Sequence, residues 1–148
     1  MTSLSAAEQR AGGERVLIVE DDPAIRELLH TRLSIAGYRS QHVSSGWVSL
    51  QAMQDFRPDA VILDINMPGL DGFGVLETKR DRGSIRDIPV MVLTARHAAD
   101  DIRRAIALGA KDYLAKPFQD QQMLVRVRRL VRMKRQPPSP ADDQALYM

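Results

Sequence analysis

Four short apolar runs of this 148-residue chain end in side chains able to ionise or to hydrogen-bond: Glu20, Asp21 and Asp22 after VLIV, Asp64 after AVIL, Thr94 after VMVL and Lys116 after DYLA. Each has an ordinary use by itself. Asp22 can cap a helix, Glu20 and Asp21 can belong to a solvated loop, and Asp64 can shape the turn into Asn66-Met67-Pro68-Gly69; Thr94 can cap a helix, and Lys116 can be a surface lysine. Their common position gives the set its weight. In an open parallel sheet ligands sit outside the carboxyl ends of the strands, so a fold that aligned the four runs would carry these side chains to one rim.

Three carboxylates on one rim would repel. At about 5 Å and an effective dielectric near 20 each pair costs roughly 3 kcal/mol, a large share of a small domain's stability. Lys116 supplies one positive charge, and a divalent ion matches two or three carboxylates better. Oxygen-only donors favour magnesium, manganese or calcium, and no Cys or His lies near to suit zinc. Two carboxylates and a carbonyl leave positions for water and a phosphate oxygen, the usual way of holding magnesium, whereas calcium takes more protein oxygens. Asp64-x-Asn66-x-x-Gly69 starts like an EF-hand loop but fails at Pro68 and at Val75, where a bidentate Glu is needed. No G-x-G-x-x-G follows the first run and no G-x-x-x-x-G-K-[ST] occurs, which removes support for dinucleotide and P-loop nucleotide binding.

The elements that would position these residues alternate along the chain. Val16 to Val19 precedes a helical period over 23–36, a weak strand at 38–43 precedes 46–55, and Ala60 to Ile65 precedes 71–82. Pro89 to Thr94 then precedes 98–108, and Asp112 to Ala115 precedes 119–134. Five strand–helix units of this kind predict a parallel sheet covered on both faces. In the first helix Asp22 is the expected cap, Pro23 the first residue and Gly37 the stop, with Ile25, Leu28, Leu29, Leu33 and Ala36 on one face. Ile102, Ala105 and Ile106 make a shorter stripe, and Met123, Leu124, Val127, Leu130 and Val131 another. Trp47 is expected to pack at the start of the second helix.

Composition bounds the rest. With 44% hydrophobic and 27% charged residues the length suits one domain, and 21 basic against 19 acidic residues give no chain-wide attraction to nucleic acid or an anionic membrane. The absence of cysteine excludes a disulfide framework, a thiolate metal site and a Cys nucleophile. The longest apolar runs fall far short of the roughly 20 residues of a membrane span, and residues 1–14 lack the apolar stretch of a signal peptide, so a cytoplasmic protein is expected.

Taken together and in order, VLIVEDDPAIRELL, AVILDINMPGLDG, VMVLTA and GAKDYLAKPF resemble the receiver domain of bacterial two-component response regulators. The resemblance covers about residues 15–134, leaving 1–14 as a flexible leader and 135–148 as a linker or tail. It implies an α/β, flavodoxin-like (βα)5 fold, a doubly wound parallel five-stranded sheet of order 2-1-3-4-5. By position, Asp64 matches the aspartate that accepts a phosphoryl group from a sensor histidine kinase or a histidine phosphotransfer protein. Asp21 and Asp64 match direct Mg2+ ligands, Glu20 one acting through water, and the main-chain carbonyl of Asn66 completes the protein's share. Thr94 matches the hydroxyl that moves to the phosphoryl group, Lys116 the cation that pairs with it, and Tyr113 the aromatic whose rotamer follows Thr94. Lys116-Pro117 matches a peptide bond that is usually cis. The surface that responds is implied to be the fourth helix, fifth strand and fifth helix, available for partners or a homodimer. Glu20, where many receivers have Asp, is the main departure and lengthens one arm of the metal site.

The resemblance implies a signalling phosphoacceptor, not an enzyme with external turnover. Six basic residues between Arg126 and Arg135 are expected to form a solvated or dimer-forming face without direct nucleic-acid binding, because no aromatic is interleaved with them. Three functions compete: a stand-alone receiver, the receiver half of a longer regulator whose output domain would follow RVRRLVRMKRQPPSP, and an aspartyl-phosphate phosphatase of the haloacid-dehalogenase type. The last needs an Asp two residues after the nucleophile, and that position is Asn66.

Overall fold

The computed structural model of the chain describes residues 13–95 and 98–135. Within them five strands alternate with five helices: β1 (Arg15–Val19), α1 (Pro23–Ile35), β2 (Arg39–Val43), α2 (Gly46–Phe56), β3 (Ala60–Asp64), α3 (Gly72–Arg80), β4 (Val90–Ala95), α4 (Ala99–Ala107), β5 (Asp112–Lys116) and α5 (Asp120–Arg135). One sheet holds the strands in the order β2-β1-β3-β4-β5, with every neighbouring pair parallel. This is the flavodoxin-like order expected from the resemblance. After β1 the chain turns outward to β2, and after β2 it crosses back to β3, so the connections leaving β1 and β3 diverge. A crevice opens where they part, at the carboxyl ends of the two strands.

Side-chain alternation divides the core into two layers. Leu17, Val19, Val61, Leu63, Val90 and Val92 face one side, where Leu50, Met53, Val75 and Leu76 of α2 and α3 cover them. Val16, Ile18, Ile62, Met91, Leu93 and Leu114 face the other, under Leu29 and Leu33 of α1 and Met123, Val127, Leu130 and Val131 of α5. Burying each such side chain contributes about 1.5–3 kcal/mol. Because both faces are covered, β1, β3 and β4 read as unbroken apolar runs; β2, paired on one side only, reads RSQHV and is mostly exposed.

Several expectations are refined. Asp22 caps α1, its Oδ1 accepting from the backbone N–H of Ala24 and of Ile25, and Pro23 is the first residue. Leu28 and Ile106, expected on buried stripes, are 41% and 46% exposed. The packing expected of Trp47 at the start of the second helix is overturned, since it is 62% exposed. Gly46, Ser49, Leu50 and Met53 form the buried arc of α2, and at about 100° per residue position 47 falls outside that arc. Helix α3 is shorter than the expected 71–82: Asp71 caps its start through the Gly74 N–H and Asp81 ends it. Glu14, placed with the leader, is tied in, its carbonyl accepting from Arg39 N at 2.9 Å. Helix α5 runs through Arg135, one residue into the stretch read as a tail. The rest of the leader and tail, residues 1–12 and 136–148, lie outside the described residues. No helix among the described residues is long and apolar enough to cross a membrane.

Candidate functional site

The turn after β1 is held from three directions. Glu20 N donates to Val43 O at 3.1 Å, Asp22 N donates to Glu20 Oε1 at 3.2 Å, and Arg26, one helical turn beyond the cap, donates from Nη1 to the carbonyls of Glu20 and Asp21 at 3.1 and 3.4 Å. Asp64 closes β3, where Asn66 N donates to its Oδ1 at 3.2 Å. Gly72 N donates to Ile65 O at 2.9 Å, which draws the start of α3 against this turn. The approach requires glycine, because a Cβ at position 72 would lie 2.7 Å from both Asp64 O and Ile65 Cα. Lys116 ends β5, followed by a cis bond to Pro117.

Glu20, Asp21 and Asp64 each offer a carboxylate oxygen, all within 4.8 Å of one another, the one such group of three among the described residues. At that spacing and a dielectric near 20 each charged pair costs roughly 3 kcal/mol. Lys116 Nζ stands 3.2 Å from Glu20 Oε2 and 3.5 Å from Asp64 Oδ2. Glu20 is 1% and Asp64 3% exposed. Burial, helped by the charge of Asp64, pushes the Glu20 carboxyl up to about 7 against the opposing pull of Lys116. Burial likewise raises Asp64, while Lys116 and the Asn66 N–H act the other way. One ammonium therefore leaves the cluster short of positive charge. Three carboxylates without sulfur or nitrogen donors suit a hard divalent cation, so the residues present fit Mg2+.

A cleft of about 650 Å3 opens over the cluster, with Asn66 on its rim and Ile25, Leu28 and Phe118 as an apolar wall. Five expected site residues thus come together: Glu20, Asp21, Asp64, Asn66 and Lys116. Thr94 lies behind the cleft at the end of β4, 1% exposed, where β4 and β5 pair Thr94 with Ala115 and Ala95 with Lys116. Its Oγ1 is buried without a hydrogen-bond partner, a cost of about 1–3 kcal/mol that an acceptor brought within reach would relieve. Tyr113 does not line the cleft. It is 38% exposed, with the Arg126 guanidinium 5.5 Å from its ring centre and Arg126 paired to Asp112 at 2.6 Å.

Sequence reasoning missed Arg26, the role of Gly72 and the apolar wall. Arg26 carried a usable signal, four residues after the capping Asp22 and so one turn into α1. The close approach of Gly72 depends on how two loops meet, which no local pattern records.

Known proteins are similar to this chain in sequence and fold. The chain matches the response regulator receiver domain family over residues 16–128. It is 41% identical over 132 residues to the response regulator MprA of Mycobacterium sp. strain KMS, covering 89% of this chain and 56% of that protein, so it spans about half the length of the curated relatives it matches. The receiver domain of a signal transduction histidine kinase from Syntrophus aciditrophicus superposes with a TM-score of 0.76 at 32% identity, over 85% of this chain and 96% of that one. The receiver domain of the Pseudomonas aeruginosa sensor histidine kinase PA1611, solved with a magnesium ion coordinated in its active site cleft, gives 0.74 at 30% identity, over 80% and 98%. With the strand order, the cleft and these relatives in agreement, the chain belongs to the receiver domain family of two-component response regulators.

Proposed function

We propose that Asp64 is the phosphoacceptor, taking a phosphoryl group from a sensor histidine kinase or a histidine phosphotransfer protein. The observation that carries this is the meeting of Asp64, Glu20, Asp21 and Lys116 in one cleft from three separate strand ends. An Asp64 carboxylate oxygen attacks phosphorus in line, the oxygen–phosphorus bond forms as the bond to the donor's nitrogen or acyl oxygen breaks, and the donor keeps the electron pair. Lys116 Nζ moves from its carboxylate partners to the new phosphoryl oxygens and offsets their charge. Asp21, Asp64 and the Asn66 carbonyl would hold Mg2+ directly and Glu20 through water; the ion, when bound, neutralises charge on the transferring oxygens. Thr94 Oγ1 then finds an acceptor in the phosphoryl group, and Tyr113 follows Thr94, which changes the α4-β5-α5 surface for partner binding or homodimerisation. The exposure of Ile106, Tyr113 and Val125 supports that reading of the surface.

In this account the domain spans residues 15–134, acts in the cytoplasm, and catalyses only its own phosphorylation and slow dephosphorylation. A second reading, the receiver half of a longer regulator, draws support from the 56% coverage of the mycobacterial relative. Incubation with radiolabelled acetyl phosphate and Mg2+ tests the main one. One acid-stable, base-labile label per chain is expected, absent in Asp64→Asn, and equal labelling of that variant would remove the mechanism. Sustained release of phosphate from simple esters would instead favour a phosphatase.

A further inference from the structure

A second cluster of chemistry-bearing side chains lies apart from the acidic one, on the edge strand. The β1–β2 register pairs Val16 with Ser40 and Ile18 with His42, so Ser40 and His42 point to the sheet face that α1 covers. His30, in the third turn of α1, meets them there. Its Nδ1 lies 2.6 Å from Ser40 Oγ, and its ring centre is 5.4 Å from that of His42, with the planes 78° apart. Among the described residues the ring nitrogens of His42 have no hydrogen-bond partner, and His42 is exposed. Two polar rings at an exposed edge bury little apolar surface, so hydrophobic packing gives weak cause for the pair.

We propose that His30 and His42 form a two-imidazole site for a borderline divalent cation, and that the ion is zinc. A zinc–nitrogen bond of about 2.0–2.1 Å and a ring radius of about 1.2 Å put each ring centre about 3.2 Å from the metal, so a tetrahedral angle separates the two centres by about 5.2 Å. The observed 5.4 Å is close to that. A right-angled pair, as in a square-planar copper or nickel site, would bring the centres to about 4.5 Å. Ser40 Oγ and His30 Nδ1 form a hydrogen-bonded pair; in the proposed site the proton lies on Nδ1, the Ser40 hydroxyl accepts it, and Nε2 is left to ligate, the usual arrangement behind a metal-bound imidazole. Exposure leaves room for water to fill the remaining positions. The site shares no donor with the acidic cleft, whose oxygens prefer harder ions, and it stands whether or not Asp64 is the phosphoacceptor.

The test is a titration of the full chain with ZnCl2 in excess Mg2+, which occupies the acidic cleft, followed by calorimetry and by long-range proton–nitrogen spectra of the imidazoles. One zinc per chain is expected, moving the Nε2 signals of both His30 and His42, while the third histidine, His97, serves as a reference. His30→Gln and His42→Gln should each weaken binding by about tenfold or more, and Ser40→Ala by about tenfold. Far-UV circular dichroism and acetyl phosphate labelling, both unchanged, show that the variants fold. Binding that leaves the His30 and His42 signals in place, or equal affinity in the His30→Gln/His42→Gln double variant, would overturn the proposal.

Discussion

Lys116 Nζ stands 3.5 Å from Asp64 Oδ2, joining the ends of β5 and β3, while the same ammonium is 3.2 Å from Glu20 at the end of β1. The lysine spans the crevice between diverging connections and, among the described residues, is the single positive charge in contact with both buried carboxylates. It therefore partly occupies the electrostatic place a divalent cation would take, and it is within reach of any phosphoryl group formed on Asp64. Lys116→Met should slow phosphorylation by roughly 10²-fold, the scale of losing one preorganised group that meets developing charge, without weakening Mg2+ binding. Labelling rates at varied Mg2+ separate the two effects; a loss of Mg2+ affinity with an unchanged maximal rate would contradict this role.

Glu20 links the cluster to acidity. Its carboxyl rises from 4.5 to about 7 in the fold, so between those values the folded chain keeps a proton that the unfolded chain has released. More protons bound when folded means that this contribution is whole below about pH 4.5 and is lost as pH climbs through about 7. Asp64, raised in the same direction, adds to the trend. In metal-free urea denaturation the stability of the parent relative to Glu20→Gln should fall from about pH 5 to about pH 7.5, and saturating Mg2+ should flatten the slope because the ion favours the ionised carboxylates. A relative stability that rises across that window without metal would contradict the assignment.

Thr94→Val keeps the shape of the side chain and removes a buried hydroxyl that has no partner. Stability should stay level or increase by about 1 kcal/mol, and labelling of Asp64 should continue within a few-fold. What should disappear is the phosphorylation-dependent change at the α4-β5-α5 surface, followed by the fluorine spectrum of fluorotyrosine at Tyr113. A phosphorylation-dependent shift of that signal in the variant equal to the parent's would remove Thr94 from the switch.

Gly72 tests how the fold aims Asp64. A methyl group there would press on the peptide of Asp64 and Ile65, so Gly72→Ala should cost about 1–3 kcal/mol and also slow labelling. Gly83→Ala, where the nearest atom to the added carbon is the end of Arg86 at 4.0 Å, should do neither. Thermal melts with labelling rates decide, and equal behaviour of the two variants would show that the close approach does not position the carboxylate.

Much of the cleft could be read from the chain because its parts end apolar runs. VLIV, AVIL and VMVL are interior strands covered on both faces, so they stand out as unbroken hydrophobic stretches, and the polar residue after each marks a strand end. β2 was faint for the opposite reason, since an edge strand with solvent on one side has no continuous pattern to show. Trp47 misled because an aromatic at a helix start suggests packing, while the rotation of α2 is set by Gly46 against Leu70 and by Leu50 and Met53. Leu28 reads as core by period yet lines the cleft. The contact of His30 with His42 depends on tertiary approach, which periodicity does not carry.

The central claim is that one carboxylate, Asp64, becomes an acyl phosphate. Treating the phosphorylated chain with borohydride reduces such a group to an alcohol and leaves homoserine in its place, which tandem mass spectrometry of the peptide spanning Ala60 to Met67 locates residue by residue. Homoserine at position 64, appearing only when both phosphodonor and Mg2+ were present, is the predicted result. Hydroxynorvaline at position 20 or homoserine at position 21, with Asp64 intact, would contradict the account.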